Sequence, residues 1–182
     1  MSMQCIEASK KANRMLGYIK KCITSRSKDI VLPLYRGLVR PHLEYAIQFW
    51  SPFLKKDIDL LEKVQHRATK MIHGYSGVVY EERLSLLNMY SLEMRRTRGD
   101  LIQLFKFVKQ GDMEGLSFLS DSRTRGHGLK LVKSRFSKEV RKHYFYNRAI
   151  NDWNELPAYV VHSGGVEEFK KNLDKHWRLV TK

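Results

Sequence analysis

The residues of this chain best suited to chemistry are cations, and they are clustered. Residues 121–148 hold nine basic side chains against two acidic ones, Asp121 and Glu139, a net +7. Arg123, Arg125, Lys130, Lys133, Arg135, Arg141 and Lys142 are the candidates there for contact with phosphate, and Phe136, Tyr144, Phe145 and Tyr146 interleave with them. Cations that neutralise phosphates, next to rings that stack on bases, are what a single-stranded nucleic acid requires. Phe145 and Trp153 fall at helical spacing with Ala149 and are read as core, whereas Tyr144 and Tyr146 fit stacking and packing equally well. A second set, Lys63, Arg67 and Lys70, recurs at four- and three-residue steps and so shares one helix face. That face is either solvated surface or a phosphate-binding stripe. A third set, Arg95, Arg96 and Arg98, crowds the first half of a predicted helix, where cations oppose the helix dipole. A bound anion, or internal pairing with Glu93 or Asp100, would resolve that conflict, and the sequence weighs the two equally.

The balance of the whole chain points the same way. Its 182 residues carry 34 Lys and Arg against 19 Asp and Glu, a net charge of +15 and a pI near 9.9. Such an excess, clustered as it is, predicts attraction to polyanions, RNA or DNA first. The apolar fraction, 42%, is ordinary for a folded protein and the length suffices for a core. No stretch approaches the roughly 18 to 20 apolar residues of a membrane span, so no membrane partner is expected. The opening MSMQCIEASKKANRML lacks the apolar core and cleavage site of a secretory signal. Cys5 and Cys22 are too few for a disulfide framework. Together these predict an intracellular chain, nuclear or cytoplasmic.

Helices must position the cations. Ala8, Ala12, Met15 or Leu16, Ile19 and Ile23 form the stripe of a first helix over residues 5–23, with Lys10, Lys11, Arg14, Lys20 and Lys21 outside and Cys22 packed near the stripe. Ser27 suits an N-cap. Residues 30–50 read as two short helices or one kinked helix, because Pro33 and Pro41 interrupt the period near Arg40. Tyr35, Leu38, Val39, Leu43, Ile47 and Trp50 are expected to face the core. Ile58, Leu61, Val64, Ala68 and Ile72 line an amphipathic helix with Asp57 as N-cap and Gly74 past its end. A short helix over 80–88 turns Leu84 and Leu87 inward. Ser91 caps a longer helix that ends before Gly111. Leu129 and Leu131 alternate around Lys130 as an extended segment. Leu156-Pro157 ends the Phe145 helix, and Val166, Phe169, Leu173 and Trp177 share a face of the last one, whose first turn holds Glu167 and Glu168.

The wording of these segments is also distinctive. LPLYRGLVRPHLEYAIQFWSP (residues 32–52) and LEKVQHRATKMI (61–72) resemble the region that follows the polymerase palm in reverse transcriptases of LINE-type (non-LTR) retrotransposons, in their jockey-like branch. The resemblance continues through YEERLSLLNMYSLEMRRTRGDLI (80–102), RTRGHGLKL (123–131) and WNELP (153–157), in order and over almost the whole chain. It implies a thumb and C-terminal region. In such an enzyme the thumb holds the template–primer duplex through its backbone, and the region beyond it helps bind element RNA or target DNA.

The resemblance does not bring the polymerase chemistry with it. A polymerase needs carboxylates that hold two metal ions, and this chain has no Asp-Asp pair. Asp57 and Asp59 stand at a helix start, where capping accounts for them more simply than metal does. The seven histidines do not cluster at ligand spacing with Cys5 and Cys22, so no zinc site is expected. No P-loop or G-x-S-x-G elbow occurs. The sequence thus predicts no catalytic residue, no metal and no cofactor. It predicts a mainly α fold: a helical thumb-like region over 1–111, a linker over 112–120, and a smaller basic C-terminal subdomain over 121–182, with one short β-hairpin near 123–135 as an option. The functional expectation is a non-catalytic nucleic-acid-binding fragment. The rival expectations are a module for self-association or for binding another protein, such as a palm domain, through the first helix and the region of Tyr35 and Trp50, and a degraded element product without selected function.

Overall fold

The computed structural model describes residues 2–111, 116–119, 126–133, 135 and 137–180, with the backbone alone at 139–140 and 178–180. The fold is mainly helical. Its elements are α1 (Ser2–Cys22), α2 (Lys28–Leu34), a π-helical turn (Tyr35–Val39), α3 (Arg40–Glu44), α4 (Ile47–Trp50), α5 (Lys55–Lys70), α6 (Tyr80–Leu86), α7 (Leu92–Gln110), α8 (Glu139–Lys142), α9 (Phe145–Glu155), α10 (Ala158–Val161) and α11 (Val166–Val180). The chain divides into two compact units, Met1–Arg96 and Thr97–Lys182, so the division falls inside α7. The linker read from the sequence, 112–120, lies further on. A helix gives no compositional sign that its two halves serve different cores. Residues 112–115 and 120 are outside the described set, and Leu116 belongs to the core of the second unit.

The core of the first unit follows the apolar period. Cys5, Ala8, Ala12, Leu16 and Ile19 of α1 are buried with Tyr35, Val39, Leu43, Leu61, Val64, Ala68 and Leu92. The buried Tyr35 hydroxyl donates to Gln65 Oε1 at 2.7 Å, which satisfies a polar tip inside the core. Pro41 cannot donate a backbone bond, and the chain meets it with the π-helical turn, where the Arg40 N–H reaches back to the Tyr35 carbonyl. The wider turn keeps Val39 on the Tyr35 face and carries Leu38 off it. Leu38 is therefore 45% exposed, where the sequence put it in the core. Trp50 is only partly buried, its indole N–H donating to the Tyr45 carbonyl at 2.8 Å.

Three cap assignments change. Asp57 is not the N-cap of α5: the helix begins at Lys55, and the buried Asp57 carboxylate in its first turn accepts from Ser2 Oγ at 2.7 Å. There the carboxylate favours the helix dipole. Ser27 does occupy the N-cap position of α2 but makes no side-chain capping bond. Ser91 caps as expected, accepting from the Met94 N–H at 3.2 Å. Gly74 stands three residues past the Met71 C-cap rather than at C′, where it takes the positive φ of 83° that the turn after α5 requires.

Cys22 is exposed rather than packed, while Cys5 is fully buried. Burial pushes the Cys5 thiol up, and the Asp57 carboxylate adds to that. A thiol reagent should therefore label Cys22 in the native protein and reach Cys5 only on unfolding. Mass spectrometry of briefly alkylated native protein checks this, and rapid double labelling would contradict the packing of α1.

The second unit is built on Leu101, Leu104 and Phe105 of α7 with Phe145, Ala149, Ile150 and Trp153 of α9 and Phe169 and Leu173 of α11. Phe105 stacks on Phe169 at 4.3 Å between centroids. At the start of α11, Glu168 accepts from the Gly164 N–H at 2.7 Å, a helix-start role for this acidic pair. Of the optional hairpin, the described residues show only one antiparallel bridge, Phe118 opposite Leu131, and no strand.

Candidate nucleic-acid interface

Lys63, Arg67 and Lys70 lie on the exposed face of α5. The same period adds Lys56, also exposed, seven residues before Lys63. What α5 stands beside could not be read from local spacing. Two side-chain bonds settle it: Ser2 Oγ to Asp57, and Arg67 Nη1 to Asn13 Oδ1 at 2.9 Å. They advance together along both helices, so α1 and α5 run side by side and parallel. Lys20, two turns beyond Asn13 on α1, continues the face on which Asn13 meets Arg67. Lys20 thus joins the α5 stripe as a cation that the sequence noted on α1 without placing it. Lys10 is held by Glu7 at 2.9 Å on the exposed side of α1.

Arg95, Arg96 and Arg98 are a correction. Arg95 makes a forked pair with Glu44, its Nη2 at 3.0 Å from Oε2. Arg98 holds Asp174 with two bonds of 2.8 and 2.9 Å. Arg96 is buried inside the first unit, where its charge acts on Glu62. Burial raises the Glu62 carboxyl, against hydrogen bonds from the Tyr80 hydroxyl and the Leu92 N–H and against the Arg96 charge. The arginines therefore answer internal carboxylates and leave the candidate surface. Glu44 and Asp174 are distant in sequence, so local spacing could not point to them. Asp100 receives a fork from Arg148 at 2.7 and 3.0 Å.

In the second unit the candidates that lie within the described residues form two groups. Arg141, Lys142 and Tyr144 make an exposed corner between α8 and α9. The corner is fixed from below: Asn147 Nδ2 donates to the Arg141 carbonyl at 2.6 Å, and Arg148 Nη1 to the His143 carbonyl at 3.2 Å. Tyr144 is 61% exposed, so its ring is open to a stacking partner. Tyr146 is not: it is half-buried against the core, edge-on to Phe145 at 5.2 Å and to Phe107 at 6.1 Å. The Tyr144 and Tyr146 rings meet edge to face at 6.0 Å.

The other group is the extended segment 126–133, with Lys130 and Lys133 half-buried beside it and Arg135 exposed. Two of the distinctive stretches meet here. Asn154 copies a strand partner for Leu131, accepting from its N–H and donating to its carbonyl, both at 2.9 Å. The Trp153 indole N–H donates to the Leu129 carbonyl at 2.9 Å. His127 is buried with Nε2 at 3.1 Å from the Trp153 carbonyl, so Nε2 carries the proton, and burial holds the ring below the usual imidazole range. Lys133 Nζ reaches Asn151 Oδ1 at 3.1 Å. Arg123, Arg125 and Phe136 lie outside the described residues.

Each unit thus carries exposed cations of its own, Lys56, Lys63, Arg67 and Lys70 in the first and Arg135, Arg141 and Lys142 in the second. Among the described residues, no three of His, Cys, Asp and Glu come together as a metal would need, and no helix is long and apolar enough to cross a membrane. No protein-family model, curated protein or solved structure matches the chain.

Proposed function

We propose that this chain binds nucleic acid through the phosphate backbone and catalyses nothing by itself, as a fragment resembling the thumb and C-terminal region of a LINE-type reverse transcriptase. The observation that carries the reading is the fate of the charge. The acidic groups Glu44, Asp100 and Asp174 are spent on internal arginines, and the cations of α5 and of the Arg141–Tyr144 corner stay at the surface. On a chain of net charge +15, exposed cations so placed attract a polyanion. Phosphate contacts position a strand without reading its sequence, so the binding is expected to be tolerant of sequence. Anisotropy titration of single-stranded RNA, duplex DNA and an RNA–DNA hybrid tests it. Preference for the hybrid or the RNA supports the reverse-transcriptase origin, and no binding to any of the three at about 0.15 M salt rejects the reading.

A second reading is favoured by a separate observation. Tyr45, Phe49, Phe53 and Leu54 around α4 are exposed, Phe49 at 88%. Rings so placed fit a second copy of the chain better than water. Of the surfaces first expected to do this, the apolar face of α1 and the Tyr35 ring are buried in the first unit, and the region of Trp50 is the part that stays exposed. Sedimentation at about 1 M salt separates the readings, because high salt screens charge but not apolar contact. Dimers there that Phe49→Glu abolishes would establish self-association, and a monomer at all concentrations would remove it.

A further inference from the structure

A cavity of about 530 Å³ lies between the α1–α2 connection and the turn after α5. Arg26 and Lys70 line it with His73 and the hydroxyls of Ser25, Ser27 and Ser76, and no carboxylate does. Its volume falls in the range of about 300 to 1,000 Å³ typical of small-ligand sites. We infer that it is a binding site for a phosphate group, the source being the terminal phosphate of a polynucleotide strand. That source rests on the function proposed above.

The plain alternative is that these cations only offset helix dipoles. The parallel helices α1 and α5 both end here, and each C-terminus presents roughly half a negative charge. Lys20, Lys21, Arg26 and Lys70 stand at those ends or just beyond, four cations against about one unit of negative charge. The surplus is unspent, since among the described residues neither Arg26 nor Lys70 takes part in an ion pair. The Ser27 hydroxyl is likewise not used for capping. The two walls are tied together, the His73 N–H donating to the Arg26 carbonyl at 2.8 Å, and Gly74 supplies the left-handed turn that returns the chain. Arginine with flanking hydroxyls suits a phosphate because the guanidinium fork binds its oxygens in pairs while hydroxyls donate to the rest. A terminal monoester carries nearly two charges, against one on an internal diester, and so gains more from a two-cation site.

The test uses the full chain, two 12-nucleotide RNAs identical but for a 5′-phosphate or 5′-hydroxyl, and inorganic pyrophosphate followed by calorimetry. The 5′-phosphate should tighten binding about tenfold, an increment on the order of one added charge-assisted contact. Arg26→Ala should remove that increment and leave the affinity and salt slope of the 5′-hydroxyl RNA unchanged. Circular dichroism confirms that the variant is folded, and Ser27→Ala, a smaller change, should remove part of the increment. If both RNAs bind equally but Arg26→Ala abolishes pyrophosphate binding, the site takes free phosphate and the strand-end source is overturned. If neither the increment nor pyrophosphate binding exists, the site itself is overturned while the function above stands. Failure of both RNAs to bind overturns the strand-end source, pyrophosphate then decides the cavity alone, and the duplex and hybrid titrations decide the function above.

Discussion

Trp153→Ala should destabilise the second unit by about 3 to 5 kcal/mol, the cost of emptying a fully buried aromatic site. Trp153 is fully buried and is the largest such side chain among the described residues. Its ring stacks on Phe169 at 6.1 Å and meets His127 edge to face at 6.0 Å. The change also removes the indole N–H that holds the Leu129 carbonyl, so the extended segment bearing Lys130 and Lys133 loses one of its fastenings. Urea unfolding followed by circular dichroism reads the stability. Hydrogen exchange should place the lost protection in residues 126–133 and in α9 and α11. A loss below about 1 kcal/mol would mean that the ring is not the centre of that core. Asn154→Ala, which spares the ring and cuts the two bonds to Leu131, should loosen the segment with a smaller global loss.

The second large effect is on binding. Changing Lys63, Arg67 and Lys70 together to Glu lowers the net charge from +15 to +9. Each phosphate contact releases about 0.9 counterion on duplex DNA, worth about 1 kcal/mol at 0.15 M salt. Losing three contacts should weaken binding about 100-fold, equally for unrelated sequences. The slope of log K against log salt should become shallower by about 2.7. All three side chains are exposed, so the fold should tolerate the change. Unchanged affinity and slope would remove α5 from the interface. Arg141→Glu with Lys142→Glu should act in the same sense with a smaller change in slope, and Tyr144→Ala should cost about 1 to 3 kcal/mol for single strands only, as loss of one stacked base would.

Much of this architecture was legible because helices announce themselves locally. The stripes of α1, α5, α9 and α11 read correctly from their three- and four-residue steps, and Ser91, Gly74 and Leu156-Pro157 marked ends where the chain does turn. Single-residue errors came where a local rule met a non-local demand. Leu38 left the core because Pro41 imposes a π-helical turn upstream, and Asp57 gave up capping for a bond to Ser2. The candidate site was harder to read. Exposed cations on one helix follow from periodicity, but whether an arginine is free depends on carboxylates far along the chain. Glu44 for Arg95, Asp174 for Arg98 and Asp100 for Arg148 have no local signature. Tyr144 and Tyr146 were inseparable in sequence because they flank the helix start. The turn that begins α9 sends one ring outward and the other against Phe107. The cavity at Arg26 was invisible for the same reason, since its walls are two loops some 45 residues apart, joined by the His73–Arg26 bond.

Surface charge that engages phosphate must make affinity depend steeply on salt. The most direct measurement is the affinity of the unmodified chain for an RNA–DNA hybrid at a series of salt concentrations from about 0.05 to 0.3 M. The logarithm of the affinity should fall linearly with log salt, with a slope of about −3 or steeper, the signature of several neutralised phosphates. A flat slope, or no binding at the lowest salt, would contradict phosphate engagement.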